Sequence, residues 1–322
     1  MRPSESRKLG EVRETIAAIR RVDLNTADIA ALSRRIQYLL HGFVVQVPII
    51  DPGTKIYRAV KWDQQHSQVG RLSYPPADKI TRFGRVNNIR QPVFYCSVGW
   101  NAPQFELRLE KGDLFALSRW RVTERLIVNN LGFTDKVFRR LQSDLRSMPQ
   151  WIRRDQIPQS PVARLLDRFF NEEFTREVSV GQEHLYKLSA AIARPFLHDV
   201  AEDEKVEGVR DNRMAGLLYP AIAALGHGDN LALKPEIVDR YLAIEQVEYN
   251  QVVDRKEDGK YTTYENKHID FANSFGASGE IEWKGRCAQW NIVIPPGGQV
   301  QISNENGRTV YRNESGEVID PT

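Results

Sequence analysis

Cysteine and histidine are scarce in this sequence, and this scarcity excludes several classes of site. The 322 residues include 2 cysteines and 6 histidines. Cys96 and Cys287 are too far apart in sequence to indicate a disulfide framework or a zinc site. No two histidines have the spacing of metal ligands, so we expect no metal.

Signals for secretion and for membrane insertion are also missing. The N-terminal residues are charged and contain no apolar h-region, which disfavours a secretory signal. No run approaches the roughly 18 apolar residues that span a bilayer. We therefore expect a cytoplasmic protein without membrane contact. Its 41% hydrophobic and 27% charged residues are typical of a globular chain that buries a core without disulfides.

An excess of charge of one sign is absent as well. The net charge of +3 is too small to indicate nucleic-acid binding by itself, so a nucleic-acid partner is not expected. Arginines nevertheless cluster in one stretch of the chain. A solvated helical face is the ordinary interpretation of such a cluster, and a polyanion-binding patch is the alternative. The cluster comprises Arg119, Arg121, Arg125, Arg139, Arg140, Arg146, Arg153 and Arg154.

Hydrophobic periodicity divides the chain into three parts. Helical spacing over 5–21 and 25–41 predicts a helical N-terminal extension over 1–50, with Asn25 or Thr26 as the N-cap of the second helix. Residues 51–253 alternate strands and helices and form the central domain. The tail over 254–322 is rich in Gly, Asn and Thr and is predicted to be a small β-rich extension.

Within the central domain, short apolar runs predict strands and longer periodic segments predict helices. Extended segments are expected at 44–50, 56–60, 93–97, 114–120, 214–223 and 245–253. Helices are expected at 102–109, 134–147, from Ser160-Pro161 onward, at 181–197 and at 235–242. Residues 70–88 are rich in Gly, Pro and Asn and predict a loop.

Four polar residues of the central domain lie within apolar surroundings: Arg58, Arg85, Tyr95 and Glu106. Each has an ordinary structural explanation. A strand arginine often pairs with a carboxylate, a strand tyrosine packs in a core with a wet hydroxyl, and a helix glutamate is solvated. Composition and periodicity alone do not assemble the four into a site.

The order of the surrounding motifs resembles the RES domain family, which is named for an arginine, a glutamate and a serine. The resemblance covers roughly residues 51–250. It rests on Ile56-Tyr57-Arg58-Ala59, Leu72-Ser73-Tyr74-Pro75-Pro76, Gly84-Arg85-Val86-Asn87, Pro92-Val93-Phe94-Tyr95-Cys96-Ser97, Glu106, Gly216-Leu217-Leu218-Tyr219-Pro220-Ala221 and Gly228-Asp229-Asn230-Leu231-Ala232-Leu233.

The resemblance implies an α+β fold like that of ADP-ribosyltransferases of the diphtheria-toxin type, with split antiparallel sheets and surrounding helices. It implies an enzyme that consumes NAD and releases nicotinamide by hydrolysis or phosphorolysis. Many such proteins are toxins whose helix-turn-helix antitoxin covers the active cleft. A catalytically weak nucleotide-sensing or partner-binding module is the alternative, and an ADP-ribosyltransferase acting on a protein or nucleic acid is a second one. Whether the protein forms a homo-oligomer is left open.

The residue types suit this chemistry. Glu106 is the expected stabiliser of the positive charge that develops on the ribose, and Tyr95 is the expected wall for nicotinamide. Arg58 and Arg85 are expected to bind the pyrophosphate, and Arg58 and Tyr95 are counted among the catalytic residues together with Glu106. Asn87 is expected to add amide hydrogen bonds near the ribose.

One position departs from the family pattern. Ala221 stands where the family has its serine, at a position expected to contact the cofactor. Alanine neither donates nor accepts a hydrogen bond there, and losing such a bond weakens binding by about 1 kcal/mol. Because of this departure, we expect that the activity on NAD is slow, altered in substrate, or absent.

Overall fold

A computed structural model shows a mixed α+β fold, which confirms the expected class. One large sheet carries helices against it. The structure describes residues 9–40, 48–100, 102–133, 160–197, 213–221, 223, 229–258, 261–285, 290–294, 298–305, 308–312 and 318–319.

The described residues form helices and strands with the following bounds. The helices are α1 Leu9–Arg20, α2 Ile29–Leu40, α3 Ala102–Glu106, α4 Pro161–Phe174, α5 Tyr186–Phe196 and α6 Pro235–Tyr241. The strands are β1 Ile49–Ile50, β2 Lys55–Trp62, β3 Phe94–Ser97, β4 Leu114–Val122, β5 Leu126–Asn130, β6 Met214–Pro220, β7 Asp229–Leu233, β8 Leu242–Asp258, β9 Tyr261–Ala272, β10 Trp290–Ile294, β11 Gly298–Glu305, β12 Arg308–Arg312 and β13 Val318–Ile319.

The strands join into one 13-stranded sheet with the order β1-β5-β6-β7-β3-β2-β4-β8-β9-β10-β11-β12-β13. Neighbouring strands are antiparallel except for β5 and β6, which are parallel. The junction between β2 and β3 consists of one residue pair, Tyr57 with Ser97, whereas β2 and β4 pair from Lys55 to Trp62. Because the pairing is continuous, the expected split between two sheets is not confirmed.

Three apolar clusters hold the layers together. One lies on the sheet face that carries Ile56, Phe94 and Trp120. On the opposite face, the helical cluster packs α1, α2, α4 and α5 against Leu217 and other residues of the sheet. The third cluster, which we call the α3 cluster, packs α3 on the same face as the helical cluster. It comprises Ala59, Ala102, Phe105, Leu109, Phe115, Ala221, Val252 and Tyr264.

The helix ends show which capping predictions are right. At α4, the Ser160 hydroxyl accepts from the Ala163 amide at 3.1 Å and Pro161 occupies the first turn, which confirms the predicted start. The predicted N-cap of α2 is wrong. Asp28 caps that helix, because its carboxylate accepts from the amide of Ala30 at 3.0 Å. Asn25 and Thr26 instead bond to Asp23 in the preceding turn.

Most predicted elements are present with shifted ends. Strand β8 begins at Leu242 and continues to Asp258, past the expected limit at 253, because it pairs along its length with β4 and β9. The division into three domains stays a prediction. The expected helix at 134–147, the segment 44–47 and the arginines from Arg139 to Arg154 lie outside the described residues. The helical-face interpretation is wrong for Arg119 and Arg121, which lie on β4.

Candidate functional site

Tyr95 and Asn87 are the predicted site residues whose side chains touch, whereas Arg58 stacks on Phe94 on the opposite face of the sheet. The Tyr95 hydroxyl accepts from the Val86 amide at 3.0 Å and donates to Asn87 Oδ1 at 2.8 Å. The Asn87 amide nitrogen donates to the Asn88 carbonyl at 2.9 Å. Burial raises the pKa of the Tyr95 phenol, so the hydroxyl stays protonated and fixed as a donor to Asn87. The structure therefore brings two predicted residues into direct contact.

Gly84 makes this contact sterically feasible. A Cβ at position 84 would lie 2.1 Å from Asn87 Oδ1 and 2.8 Å from the Tyr95 hydroxyl oxygen. The Gly84 amide also donates to the Asn87 carbonyl at 3.1 Å. The glycine of the Gly84-Arg85-Val86-Asn87 motif is thus required by close approach of the side chains around it.

Arg58 reaches the same strand from β2. Its Nε donates to the Leu72 carbonyl at 3.0 Å, and Nη1 donates to the Tyr95 carbonyl at 2.6 Å. Its guanidinium carbon lies 5.1 Å from the centre of the Phe94 ring. Burial lowers the pKa of Arg58 to about 10, so it remains charged at neutral pH. Arg58 bridges the β2–β3 junction, where the strands themselves pair only once.

Arg85 is held in a similar way by backbone carbonyls. Its Nη1 donates to the carbonyl of Phe174, the last residue of α4, and both Nη atoms donate to the Arg176 carbonyl at 3.2 Å. The guanidinium lies 5.2 Å from the centre of the Tyr186 ring. A cation at the C-terminus of a helix also complements the helix dipole. Among the described residues, neither Arg58 nor Arg85 has a carboxylate partner.

Glu106 is the last residue of α3, and its carboxylate is exposed at the surface. Its Oε1 accepts from Asn230 Nδ2 at 2.7 Å. Two residues earlier, Gln104 exchanges two amide hydrogen bonds of 2.9 Å with Asn266 of β9. Both amides are buried, and this reciprocal pair attaches α3 to the sheet. Glu106 therefore sits on a short helix that is fixed by its neighbour.

A row of polar residues crosses one sheet face next to Glu106. Asn230 of β7 pairs with Tyr219 of β6 on one side and with Ser97 of β3 on the other. Ser97 pairs in turn with Tyr57 of β2. Because directly opposed residues of antiparallel strands share a face, the four side chains form one line. Glu106 accepts a hydrogen bond from Asn230, the member of this row on β7.

Tyr219 connects the row to the Tyr95 region electrostatically. Only 4% of Tyr219 is exposed, and its ring packs edge-on against Phe174 with centroids 5.9 Å apart. Burial raises the pKa of Tyr219 far above its usual range, electrostatic interactions with Tyr95, Glu106 and Cys96 raise it further, and Arg85 lowers it. Three predicted residues, Arg85, Tyr95 and Glu106, therefore act electrostatically on a tyrosine that the sequence pattern did not indicate.

Ala221 lies on the same side of the sheet but in an apolar setting. It is fully buried in the α3 cluster, to which Phe105 and Ala102 also belong. Tyr219, two residues earlier, belongs to the helical cluster. The polar row therefore runs where the two apolar clusters meet.

Sequence reasoning missed Asn230, Tyr219 and Tyr57 as site residues, although all three stand within the quoted motifs. Asn230 carried a usable signal, because a buried amide inside the apolar strand β7 requires a partner. That partner is Glu106, which lies 124 residues away in sequence. The pairing depends on tertiary structure and has no local sequence signal.

Comparison of the chain with protein-family models, curated proteins and solved structures gives no match in any of the three. The resemblance to the RES family therefore stays a prediction from the motifs. Within the described ranges, no set of three or more His, Cys, Asp or Glu side chains is arranged to hold a metal ion. In the same residues, no helix combines the length and apolar character needed to cross a membrane.

Proposed function

We propose that this protein is an enzyme that cleaves the nicotinamide–ribose bond of NAD, with Glu106 as the residue that stabilises the reacting sugar. The observation that carries the proposal is the placement of Glu106. Its carboxylate is exposed to solvent, fixed by the Asn230 amide, and located beside a row of aromatic and hydroxyl side chains. A carboxylate that is held in place yet open to a ligand suits a catalytic role.

The proposed chemistry follows from the charge that develops during bond cleavage. As nicotinamide leaves, positive charge builds on the ribose, as it does in glycoside hydrolysis. The Glu106 carboxylate opposes this charge, and the Asn230 amide orients it without neutralising it. The half-buried ring of Tyr57, two strands along the same row, offers a flat surface on this face, whereas Tyr219 is buried against Phe174 and lines the row from below. A water or a phosphate ion then supplies the nucleophile, which gives hydrolysis or phosphorolysis.

The β2–β3 junction is the place in the sheet that we compare with the fold of ADP-ribosyltransferases. A single residue pair joins β2 to β3 there, and Arg58 spans the rest of the gap. We propose that this junction corresponds to the boundary between the two sheets of those enzymes. In such an arrangement, Arg58 and Arg85 shape the site by fixing the backbone around Tyr95, and they do not act as free ligands.

The experiment measures nicotinamide release from NAD by chromatography, with and without phosphate, for wild type and Glu106→Gln. Glutamine keeps an acceptor for Asn230 but removes the charge, so the rate should fall by about 100- to 1000-fold, equivalent to about 3–4 kcal/mol. Glu110→Gln is the matched control, because this carboxylate lies nearby and binds Arg255 at the surface. Equal rates for wild type and Glu106→Gln would remove Glu106 from the mechanism.

A nucleotide-binding module without turnover is the second candidate function. It is favoured by Ala221, which places no hydroxyl in the α3 cluster, and by two arginines whose donors already serve carbonyls. In that case NAD should raise the melting temperature by mass action while no nicotinamide is released. Release of nicotinamide by the wild type would exclude this candidate. A helix-turn-helix antitoxin, a homo-oligomer and an ADP-ribosyl acceptor stay as predictions of the family resemblance.

A further inference from the structure

Three cations surround one carboxylate on the strands that adjoin the candidate site. Lys55 Nζ lies 2.6 Å from Glu245 Oε1, Arg121 Nε lies 2.9 Å from the same oxygen, and Arg119 Nε lies 3.4 Å from Oε2. The side chains of the three cations are 39%, 43% and 39% exposed for Lys55, Arg121 and Arg119. Glu245 balances one of these charges and Glu248, which bonds to Gln246 on the same face, is a second anion nearby, so at least one positive charge is in excess at an accessible surface.

Strand register places these cations on one face. Lys55 pairs with Arg121, and Tyr57 pairs with Arg119, across β2 and β4. Residues that are directly opposed, or two apart on one strand, share a face of the sheet. The basic side chains therefore stand on the face that carries Tyr57.

A β-bulge brings Glu245 to this face. Arg119 pairs with Gln246, whereas the next residue, Trp120, pairs with Ile244, so Glu245 is the extra residue on β8. A bulge re-aims a side chain that regular alternation would send to the other face, and such irregularities are frequent beside functional sites. The Lys55 hydrogen bond is the main cause of a lowered pKa at Glu245, so the carboxylate is charged at neutral pH.

The basic cluster is continuous with the Glu106 region. Tyr57 links the two, since it pairs with Ser97 on one side and with Arg119 on the other. Ser97 pairs with Asn230, which binds Glu106. Paired Cα atoms lie about 4.5–5.5 Å apart, so three pairings put Arg119 within about 16 Å of Asn230. An extended dinucleotide covers a span of this order.

The two arginines of the cluster also have hydrogen-bond donors that are available to a ligand. Among the described residues, Glu245 engages only the Nε atoms of Arg119 and Arg121, and their Nη atoms form no hydrogen bond. By contrast, Arg58 and Arg85 donate hydrogen bonds to backbone carbonyls. Guanidinium groups with free Nη atoms present the geometry that binds phosphate oxygens.

We infer that Lys55, Arg119 and Arg121 form a subsite for the diphosphate group of a nucleotide substrate, with Glu245 holding the three cations in place until the ligand arrives. This inference rests on the proposed function for the identity of the substrate. The presence of a diphosphate site does not depend on turnover. The subsite takes over the role that the sequence pattern predicted for Arg58 and Arg85.

The test measures binding of ADP and of inorganic pyrophosphate to the full chain by calorimetry. Arg119→Gln and Arg121→Gln should each weaken both ligands by about tenfold, because each removes a charge-assisted hydrogen bond. Glu245→Gln should tighten both ligands, because it removes the competing anion. Lys61→Gln is the matched control, since this β2 lysine pairs with Asp113 outside the cluster, and it should leave binding unchanged.

Two results would overturn the inference. One is ADP binding that is equally strong in wild type, Arg119→Gln and Arg121→Gln. The other is a single-stranded oligonucleotide without terminal phosphate that binds more tightly than ADP and depends on the same arginines, which would assign the cluster to nucleic acid. Circular dichroism of each variant confirms that the fold is retained.

The outcomes separate this inference from the proposed function. If wild type releases no nicotinamide but ADP binding depends on Arg119 and Arg121, the subsite stands and the proposed activity fails. If nicotinamide is released with the same KM in wild type and in both arginine variants, the activity stands and the subsite fails.

Discussion

Replacing Tyr95 with phenylalanine tests whether its hydroxyl organises the loop before β3. The hydroxyl satisfies one donor, the Val86 amide, and one acceptor, Asn87 Oδ1. Val86 is 2% exposed and Asn87 is 6% exposed, so water has little access to either group once the hydroxyl is gone. Tyr95→Phe therefore leaves two buried polar groups without their partner.

The expected cost follows from these two groups. A buried donor or acceptor that loses its partner costs about 1–3 kcal/mol, and the phenyl ring itself keeps its packing. We expect Tyr95→Phe to lower the free energy of unfolding by about 2–4 kcal/mol. Tyr74→Phe is the control. Its hydroxyl bonds to Asp239 at 2.8 Å in an exposed position, and its loss should cost less than about 1 kcal/mol.

Equilibrium unfolding in urea measures both variants, with an unchanged m-value as the sign that the unfolded state is the same. Combining Tyr95→Phe with Asn87→Ala in a double-mutant cycle isolates their coupling, which should lie within about 0.5–3 kcal/mol. If Tyr95→Phe costs no more than Tyr74→Phe, or if the coupling is absent, the Tyr95 hydroxyl does not organise this loop.

Two further predictions concern Gly84 and Glu245. Gly84→Ala should destabilise the fold by about 1–3 kcal/mol, because its Cβ would lie 2.1 Å from Asn87 Oδ1, whereas Gly70→Ala has nothing within 4 Å. Equal melting temperatures for the two variants would contradict this geometry. Glu245→Gln should change the pH dependence of stability. The folded-state pKa of Glu245 lies below 4.5, so its contribution is present above that pH and is lost as the pH falls through the folded value. The variant should be less stable than wild type at pH 7 and equally stable well below pH 4.5, and a constant difference would refute the linkage.

The sequence predicted elements best where local chemistry determines them. The start of α4 follows from a serine cap and a proline, and both act within one turn. Strands β3 and β4 follow from short apolar runs that contain aromatic residues. The cap of α2 was misplaced, because Asp23 bonds to the polar side chains that follow it and leaves Asp28 to begin the helix.

The site was predictable in part. The contact between Asn87 and Tyr95 agrees with a short motif spacing, and both side chains meet at the Tyr95 hydroxyl, while Arg85 bonds to the carbonyls of Phe174 and Arg176. The bond from Asn230 to Glu106 was not predictable, because it joins β7 to α3 over a long sequence separation. The bulge at Glu245 was also not predictable, since the alternation of polar and apolar residues along a strand does not show where an extra residue is inserted.

The position of Ala221 gives a physical reason why Asn230 matters to Glu106. A serine at 221 would bury a hydroxyl in the α3 cluster, where Phe105 and Ala102 offer no side-chain partner, and an unpaired buried hydroxyl is costly. Alanine avoids that cost, so position 221 offers no side-chain donor on this face. The donor that Glu106 does have is the Asn230 amide on the neighbouring strand. Asn230→Leu should therefore release the Glu106 side chain while keeping its charge. If the orientation of Glu106 limits the proposed cleavage of NAD, Asn230→Leu should slow it about as much as Glu106→Gln does. If charge alone matters, Asn230→Leu should slow it much less.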